Sequence, residues 1–537
     1  MKKIFIYSFL ITFFISCKKE KADLIVINSN TYTVNKSFDK ANAFAIKDGK
    51  FIAVGSSKEI QEKYESSNIV DAKNQTILPG LIDVHCHFYR MGLQQQKVSL
   101  EGTKNYDEVL EKLVAFQKEK NTSFITGRGW DQNDWEVKEF PTKEKLDALF
   151  PTIPVAIGRV DGHALLVNQA TLDLTEISKN TKVSGGEIVL KDGKLTGVLI
   201  DAAMDFVKFP KTSKKQAIKG LLDAQKTSFS YGLTTVDDAG LDRNTIELID
   251  SLQQAKSLKI RVYAMISGDK QDQINYYINK GIIKTDRLNV RSFKVYGDGA
   301  LGSRGAAMRK PYSDRENHFG ALIYTPRRYQ EIARQIAASE FQMNTHAIGD
   351  SANTWLLKTY KNVLKDKKNR RWRIEHAQII TEEDFAKFDN ILPSVQPTHA
   401  TSDMYWAEDR VGKERIKGAY AFKKLLNIYG KIALGTDFPV EQVNPFLTFY
   451  AATIRKDLDN YPKNGYQMEN ALTREETLKG MTIWAAYANF EEAEKGSIEV
   501  GKFADFVIIN QDIMTVDGSQ IPKTKAVSTF VNGEKVY

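Results

Sequence analysis

The chain has 537 residues, too many for one ordinary hydrophobic core, and its 42% hydrophobic and 27% charged residues describe a globular protein rather than a disordered one. The net charge of +9 is spread thinly: lysines alternate with acids in "EKLVAFQKEK" and "LKDKKNRRW", as they do on solvated helix faces. No basic stripe carries interleaved aromatics, so nucleic acid is not an expected partner.

The first residues are "MKKIFIYSFLITFFISCKKEKAD". Lys2 and Lys3 give a positive start, and residues 4–16 form an apolar run shorter than the roughly 20 residues of a membrane-spanning helix. Cys17 follows the small Ser16 and precedes a charged tether. The segment, residues 1–17, resembles a bacterial lipoprotein signal, in which the cysteine becomes the lipid-bearing first residue; Phe14 and Ile15 depart from the usual small residues there. An ordinary cleaved signal peptide and an uncleaved anchor are the alternatives. The resemblance implies export, with the protein held at a bacterial membrane through a lipid on Cys17, on the periplasmic or cell-surface side. The other cysteine is Cys86, so the processed chain cannot form an internal disulfide.

Both ends of the remaining chain read as short strands. Asp48-Gly49 and Asn532-Gly533 are two-residue hairpin turns between apolar runs. Residues 22–78 and 496–537 are therefore expected to build one small β-sandwich domain from both termini. Between them, apolar strands alternate with helical patterns, the signature of βα units around a parallel sheet. Eight strands can be read: 81–88, 232–240, 259–266, 292–300, 341–350, 372–378, 391–399 and 431–438. Eight predict an α/β fold of the (β/α)8 barrel type, over 79–92 and 229–490. Residues 93–228 exceed any single crossover and are expected to be an insertion after strand one. Such an insertion rises from the rim where barrel active sites lie. Within it, Trp130 and Trp135 read as buried packing.

In "LIDVHCHF" (81–88), side chains two apart share one face of a strand, so His85 and His87 project together while Cys86 turns away. Lys294 falls in strand four, His346 ends strand five, His376 ends strand six and Asp437 ends strand eight. Six metal-capable residues on five strands, mostly at carboxyl ends, point to a metal centre.

The stretches "LPGLIDVHCHF", "RVDGHALLVN", "GLTTVDDAG", "FKVYGDGALGSRGA", "NTHAIGD", "RIEHAQ", "GTDFPVE" and "KGSIEVGKFADFVII" resemble the amidohydrolase superfamily, and within it the YtcJ-like group that includes N-substituted formamide deformylases. The resemblance implies a metal-dependent hydrolase of carbon–nitrogen, non-peptide bonds in a small-molecule substrate. It makes His85, His87, His346, His376 and Asp437 ligands of one or two divalent ions, with zinc the family's expected metal. Lys294 becomes a bridging ligand, as the carbamate formed with carbon dioxide. A bound cation lowers the pKa of water from 15.7 to about 7, and Asp437 would act as general base. Asp161, His163 and His399 are candidate substrate contacts, and Asp298 and Arg304 are expected to order the site or touch the substrate. The alternatives are the same centre acting on a cyclic imide, lactone or aminated ring, or a binding lipoprotein without catalysis.

The leader generates one prediction. Expressed in a bacterium with residues 1–17 intact, the protein should sediment with membranes, and Cys17→Ser should release or misprocess it. Unchanged membrane attachment of the variant would assign anchoring to an uncleaved apolar segment.

Overall fold

The computed structural model describes residues 19–537 apart from 161, 184, 185 and 366. Cys17 and Asp161 lie outside the described residues. Among the described residues, no helix is long and apolar enough to cross a membrane. The chain divides into two compact units: Phe88–Gln225, and the remainder on either side of it.

The larger unit holds eight parallel strands in sequence order: β1 (Leu81–Cys86), β2 (Leu233–Leu241), β3 (Arg261–Ser267), β4 (Leu288–Tyr296), β5 (Gln342–Ala347), β6 (Arg373–His376), β7 (Leu392–Val395) and β8 (Ala433–Leu434). Each pairs with the next. The ring closes at the β1–β8 seam by single hydrogen bonds: Asp437 N–H donates to the His85 carbonyl at 2.8 Å, and His87 N–H to the Phe438 carbonyl at 2.7 Å. Asp83 reinforces the seam, accepting from Thr436 N–H (3.1 Å) and Thr436 Oγ1–H (2.7 Å). The approach is close. A Cβ on Gly435 would stand 2.7 Å from the His85 nitrogen, so this position tolerates only glycine.

Two strands end earlier than the sequence implies. β7 stops at Val395 because Pro397 opens a helix, Pro397–Asp403; proline supplies no N–H for a strand ladder but fits a helix's first turn. His399 therefore sits on that helix and not at a strand end. β8 stops at Leu434, which leaves Asp437 in the connection beyond it.

The terminal strands form a four-stranded and a six-stranded sheet, with Glu20–Lys21 and Tyr64–Glu65 paired as a separate two-stranded ribbon. Phe506–Ile509, near the carboxyl end, pairs antiparallel with Thr76–Pro79, near the amino end. Leu24, Phe44, Phe51, Ile77, Phe506 and Phe530 pack between the sheets as an aromatic-rich core. Both hairpin turns carry positive φ at each central residue: Asp48 (+50°) and Gly49 (+74°), Asn532 (+53°) and Gly533 (+72°). That backbone twist matches the twist of the flanking strands.

The smaller unit is a six-stranded mixed sheet of its own. Trp130 and Trp135 are buried in its core, and their indole N–H groups donate to the carbonyls of Ile157 (2.9 Å) and Thr103 (3.1 Å). They are packing residues.

A buried ion pair ties β3 to the carboxyl-terminal sheet. Arg261 Nε and Nη2 meet the two oxygens of Asp505 at 2.6 and 2.9 Å. Burial alone would raise the Asp505 pKa, but the guanidinium and the Asn532 N–H outweigh it and hold the carboxyl below its ordinary value. Asp505→Ala leaves a buried guanidinium uncompensated and should destabilise the larger unit by about 3–5 kcal/mol at neutral pH. Because the folded-state pKa is depressed, the Asp505 contribution is complete above the unfolded-state value of about 4 and is lost as pH falls through the folded value. Calorimetric unfolding of both proteins should show the gap narrowing only in acid; a gap independent of pH would contradict the pairing.

Candidate metal centre

The barrel's interior positions carry polar groups from the bottom upward. Near the amino ends of the strands, Arg373 donates to Asp237 (3.0 Å), and Asn489 donates to the other Asp237 oxygen (2.7 Å). One pleat higher, Glu375 crosses to β1, where its Oε2 lies 2.6 Å from His85 Nδ1. Both side chains are fully buried.

The short contact fixes the tautomer of His85. Burial comes first and lowers its pKa, with the neighbouring Lys294 acting in the same direction. The ring is thus neutral, donates Nδ1–H to Glu375, and presents the Nε2 lone pair to the cavity. Lys294 Nζ stands 2.9 Å from that Nε2. Burial also lowers the pKa of Lys294.

The remaining imidazoles crowd the same space. Ring centroids are 4.9 Å apart for His85 and His376, 4.5 Å for His346 and His376, and 5.9 Å for His85 and His87. Burial lowers the pKa of His346 to about 3 and that of His376 far below its usual value, so both rings are neutral with lone pairs available. Asp437 Oδ1 lies 3.2 Å from His87 Nε2 and 3.8 Å from His85 Nε2. Potential ligand atoms of His85, His87 and Asp437 all lie within 4.8 Å of one another, as do those of His376, His399 and Asp437.

His346 Nε2, His376 Nδ1 and Asp437 Oδ1 are buried without a hydrogen-bond partner among the described residues. Buried polar atoms are normally paired. The groupings of His85, His87 and Asp437 and of His376, His399 and Asp437 fit a divalent cation, and their imidazole and carboxylate donors suit zinc, iron or manganese. His376 and Asp437 also have positive φ, +70° and +64°. Non-glycine residues held there cost roughly 1–3 kcal/mol each, a strain that gathers at functional sites.

His399 has a different character. Its Nε2 faces Asp437 Oδ2 at 3.4 Å and its Nδ1 faces Glu441 Oε1 at 3.0 Å. Burial opposes a charge on the ring, but the hydrogen bonds to Asp437 and Glu441 outweigh burial and raise the pKa to about 10. An imidazolium donates twice and has no lone pair for a metal. His399 is therefore better described as the donor that holds Asp437 than as a third imidazole of its cluster.

Of the remaining sequence candidates, Asp298 stands beside the centre, its Oδ1 3.6 Å from His346 Nε2. Asp298 is an internal anchor: its oxygens accept from Ala307 and Gly349 N–H at 2.8 Å and from Ile348 N–H at 3.0 Å, which ties the connections after β4 and β5 together. Arg304 forms a bidentate pair with Asp314 at 3.0 and 2.8 Å. His163 belongs to the smaller unit, where its exposed ring meets Asp201 at 2.7 Å. Cys86 turns away from the histidines, its Sγ–H donating to the Asp237 carbonyl at 3.4 Å. Glu375 had no place in the sequence expectations. Its one signal is the position beside His376 in "RIEHAQ".

An eight-stranded parallel barrel with histidines and an aspartate gathered at its carboxyl end belongs to the metal-dependent hydrolases. Residues 68–537 match the profile of the Amidohydrolase family, and the chain belongs to that family. "Protein LONG AFTER FAR-RED 3" of Arabidopsis thaliana is 31% identical over 96% of this chain and 92% of its own length. "Putative amidohydrolase YtcJ" of Bacillus subtilis (strain 168) is 28% identical over 94% and 98%. An "N-substituted formamide deformylase" of Arthrobacter pascens is 23% identical over 96% and 98%. Among solved structures, an uncharacterized metal-dependent hydrolase from Pyrococcus furiosus superposes with a TM-score of 0.77 at 26% identity, covering 92% of this chain and all of that one.

Metal-ligating histidines depend on the carboxylate that receives their second N–H. Glu375→Gln should therefore weaken divalent-metal binding about 10–100-fold, measured by competition with a chromophoric chelator, while the circular-dichroism spectrum is kept. An unchanged metal affinity would show that Glu375 does not orient His85.

Proposed function

We propose that the protein hydrolyses an amide- or formamide-type, non-peptide carbon–nitrogen bond of a small molecule, tethered to a bacterial membrane by a lipid on Cys17. The observation that carries the hydrolytic reading is the convergence of His85, His87 and Asp437, with Lys294 against His85. The likeness to an N-substituted formamide deformylase supports the bond class.

In this reading His85, His87, His346, His376 and Asp437 hold the metal, with zinc the preferred ion. A divalent cation bound there supplies Lewis acidity, polarising the scissile carbonyl and acidifying water. Lys294 is buried, and burial lowers the pKa of its ammonium, which brings the neutral amine within reach. Its nitrogen lone pair adds to the carbon of carbon dioxide and loses one proton, which leaves a carbamate with two oxygens where an ammonium had none to offer. Asp437 has divided duties. Oδ2 is engaged by His399, which fixes the carboxylate plane, while Oδ1 has no hydrogen-bond partner among the described residues. The Asp437 carboxylate takes a proton from the attacking water and passes it to the departing nitrogen, so that an amine leaves and not an amide anion.

Asparagine at position 437 keeps the shape and one oxygen but cannot accept a proton at neutral pH. Asp437→Asn should lower kcat by about 10²–10⁴-fold on whichever amide or formamide a substrate panel identifies, with metal content falling less than in His85→Ala or His346→Ala. Near-normal kcat from acid to alkaline pH would remove Asp437 from proton transfer, and a panel turning over only esters or lactones would overturn the bond class.

A further inference from the structure

Gln396, the residue directly after β7, is 2% exposed, and neither its Nε2 nor its Oε1 has a hydrogen-bond partner among the described residues. A buried carboxamide with both ends unpaired is rare, because each unmet donor or acceptor carries a desolvation penalty. Local structure does not use it. Gln396 precedes the helix Pro397–Asp403, yet its side chain makes no capping bond to that helix; only its backbone carbonyl is engaged, by His399 N–H at 3.1 Å.

The backbone says where the carboxamide points. Ser394 lies level with Glu375 in the β6–β7 ladder, so the two share a face of the sheet, and Glu375 reaches through the barrel interior to His85. Gln396 follows two residues later with extended angles (φ −119°, ψ 95°) and lies on that same inner face, nearer the mouth. Ser394, one pleat below, also presents an unpaired buried hydroxyl. The two side chains therefore form a short polar track along the inner wall of β7, ending level with Gly435, two residues before Asp437.

We infer that Gln396 is a substrate-recognition residue, whose carboxamide pairs with a substrate edge bearing an N–H beside a C=O. This rests on the proposed reading of the barrel mouth as the substrate site. One edge of a glutamine amide offers a donor and an acceptor side by side. Its complement is an amide held cis, with N–H and C=O on one side. Primary carboxamides and cyclic imides or lactams present that edge; N-alkylated ones do not. An open secondary amide in its usual trans form offers one of the two bonds. Gln396 thus selects for a cis edge, whether in a ring or as a terminal carboxamide, and rejects the alkylated counterpart by stranding its own buried oxygen.

Equilibrium binding to the metal-loaded full chain tests this, with glutarimide and benzamide as the two cis-edge probes and N-methylglutarimide and N,N-dimethylbenzamide as their alkylated controls. The wild type should favour at least one unalkylated probe over its control by about 10–100-fold. Glutarimide alone would assign the edge to a ring, benzamide alone to a terminal carboxamide. Gln396→Met should abolish the preference while metal content and Tm stay equal or rise, since the substitution removes two unsatisfied buried atoms. Gln396→Leu, which has neither donor nor acceptor, should abolish it too. Absence of preference in the wild type, or its survival in either variant, would overturn the inference. So would a lowered Tm in Gln396→Met with the preference intact, the mark of a purely structural glutamine. Metal content, measured on the same samples, shows separately whether the metal-centre reading has failed.

Discussion

The centre exists because β1 and β8 meet without a strand ladder. An eight-stranded barrel must bring its first and last strands together, and here the closure is made by peptide groups of the candidate ligands His85, His87 and Asp437 and of Phe438. The Asp437 N–H bonds to the His85 carbonyl and the His87 N–H to the Phe438 carbonyl. The seam that closes the fold therefore also sets the spacing between the H-x-H pair and the aspartate. Asp83 holds it from below, a carboxylate whose pKa burial raises to about 7 although it accepts hydrogen bonds from Thr436 and His85. Glycine at 435 is the steric condition for the approach.

Below the seam the interior is electrostatically layered. Arg373 and Asp237 pair in a fully buried layer, and Asn489 hydrogen-bonds to both. Arg373 Nη1 is also 4.0 Å from Glu375, one layer up. That cation, with His85, helps keep Glu375 ionised despite burial, and an ionised Glu375 is what holds the His85 Nδ1 proton. The chain of dependence runs from a structural ion pair, through one carboxylate, to the lone pair facing the cavity. At the other end, Glu441 and His399 do the same for Asp437. Both arrangements leave one atom of a functional group committed to the protein and the other open.

Much of this was legible in the sequence because barrel geometry is periodic. The two-residue period placed His85 and His87 together and turned Cys86 away, and strand order brought distant histidines to one rim. Periodicity fails where the backbone leaves regular conformation. His376 follows the inward Glu375 by one residue, so simple alternation would send it outward; its φ of +70° returns the ring to the cavity. The same alternation hides Glu375, which reads as an acid next to a ligand. His399 looked like a strand end until Pro397 began a helix. Asp298 was readable as important, yet the hydrogen bonds it accepts come from backbone amides that carry no sequence signal. Gln396 is invisible for a related reason: its distinguishing property is an absence of partners, which only packed coordinates reveal.

The central claim is that imidazole nitrogens and carboxylate-type oxygens, and no sulfur, hold a metal at this barrel mouth. X-ray absorption at the zinc edge, on the zinc-loaded full chain, reads the ligand shell directly. The account predicts nitrogen and oxygen scatterers at about 2.0–2.2 Å with the outer-shell pattern of several imidazoles. A sulfur scatterer near about 2.3 Å, which only a cysteine turned toward the metal could supply at that distance, or zinc lost on gel filtration, would contradict it.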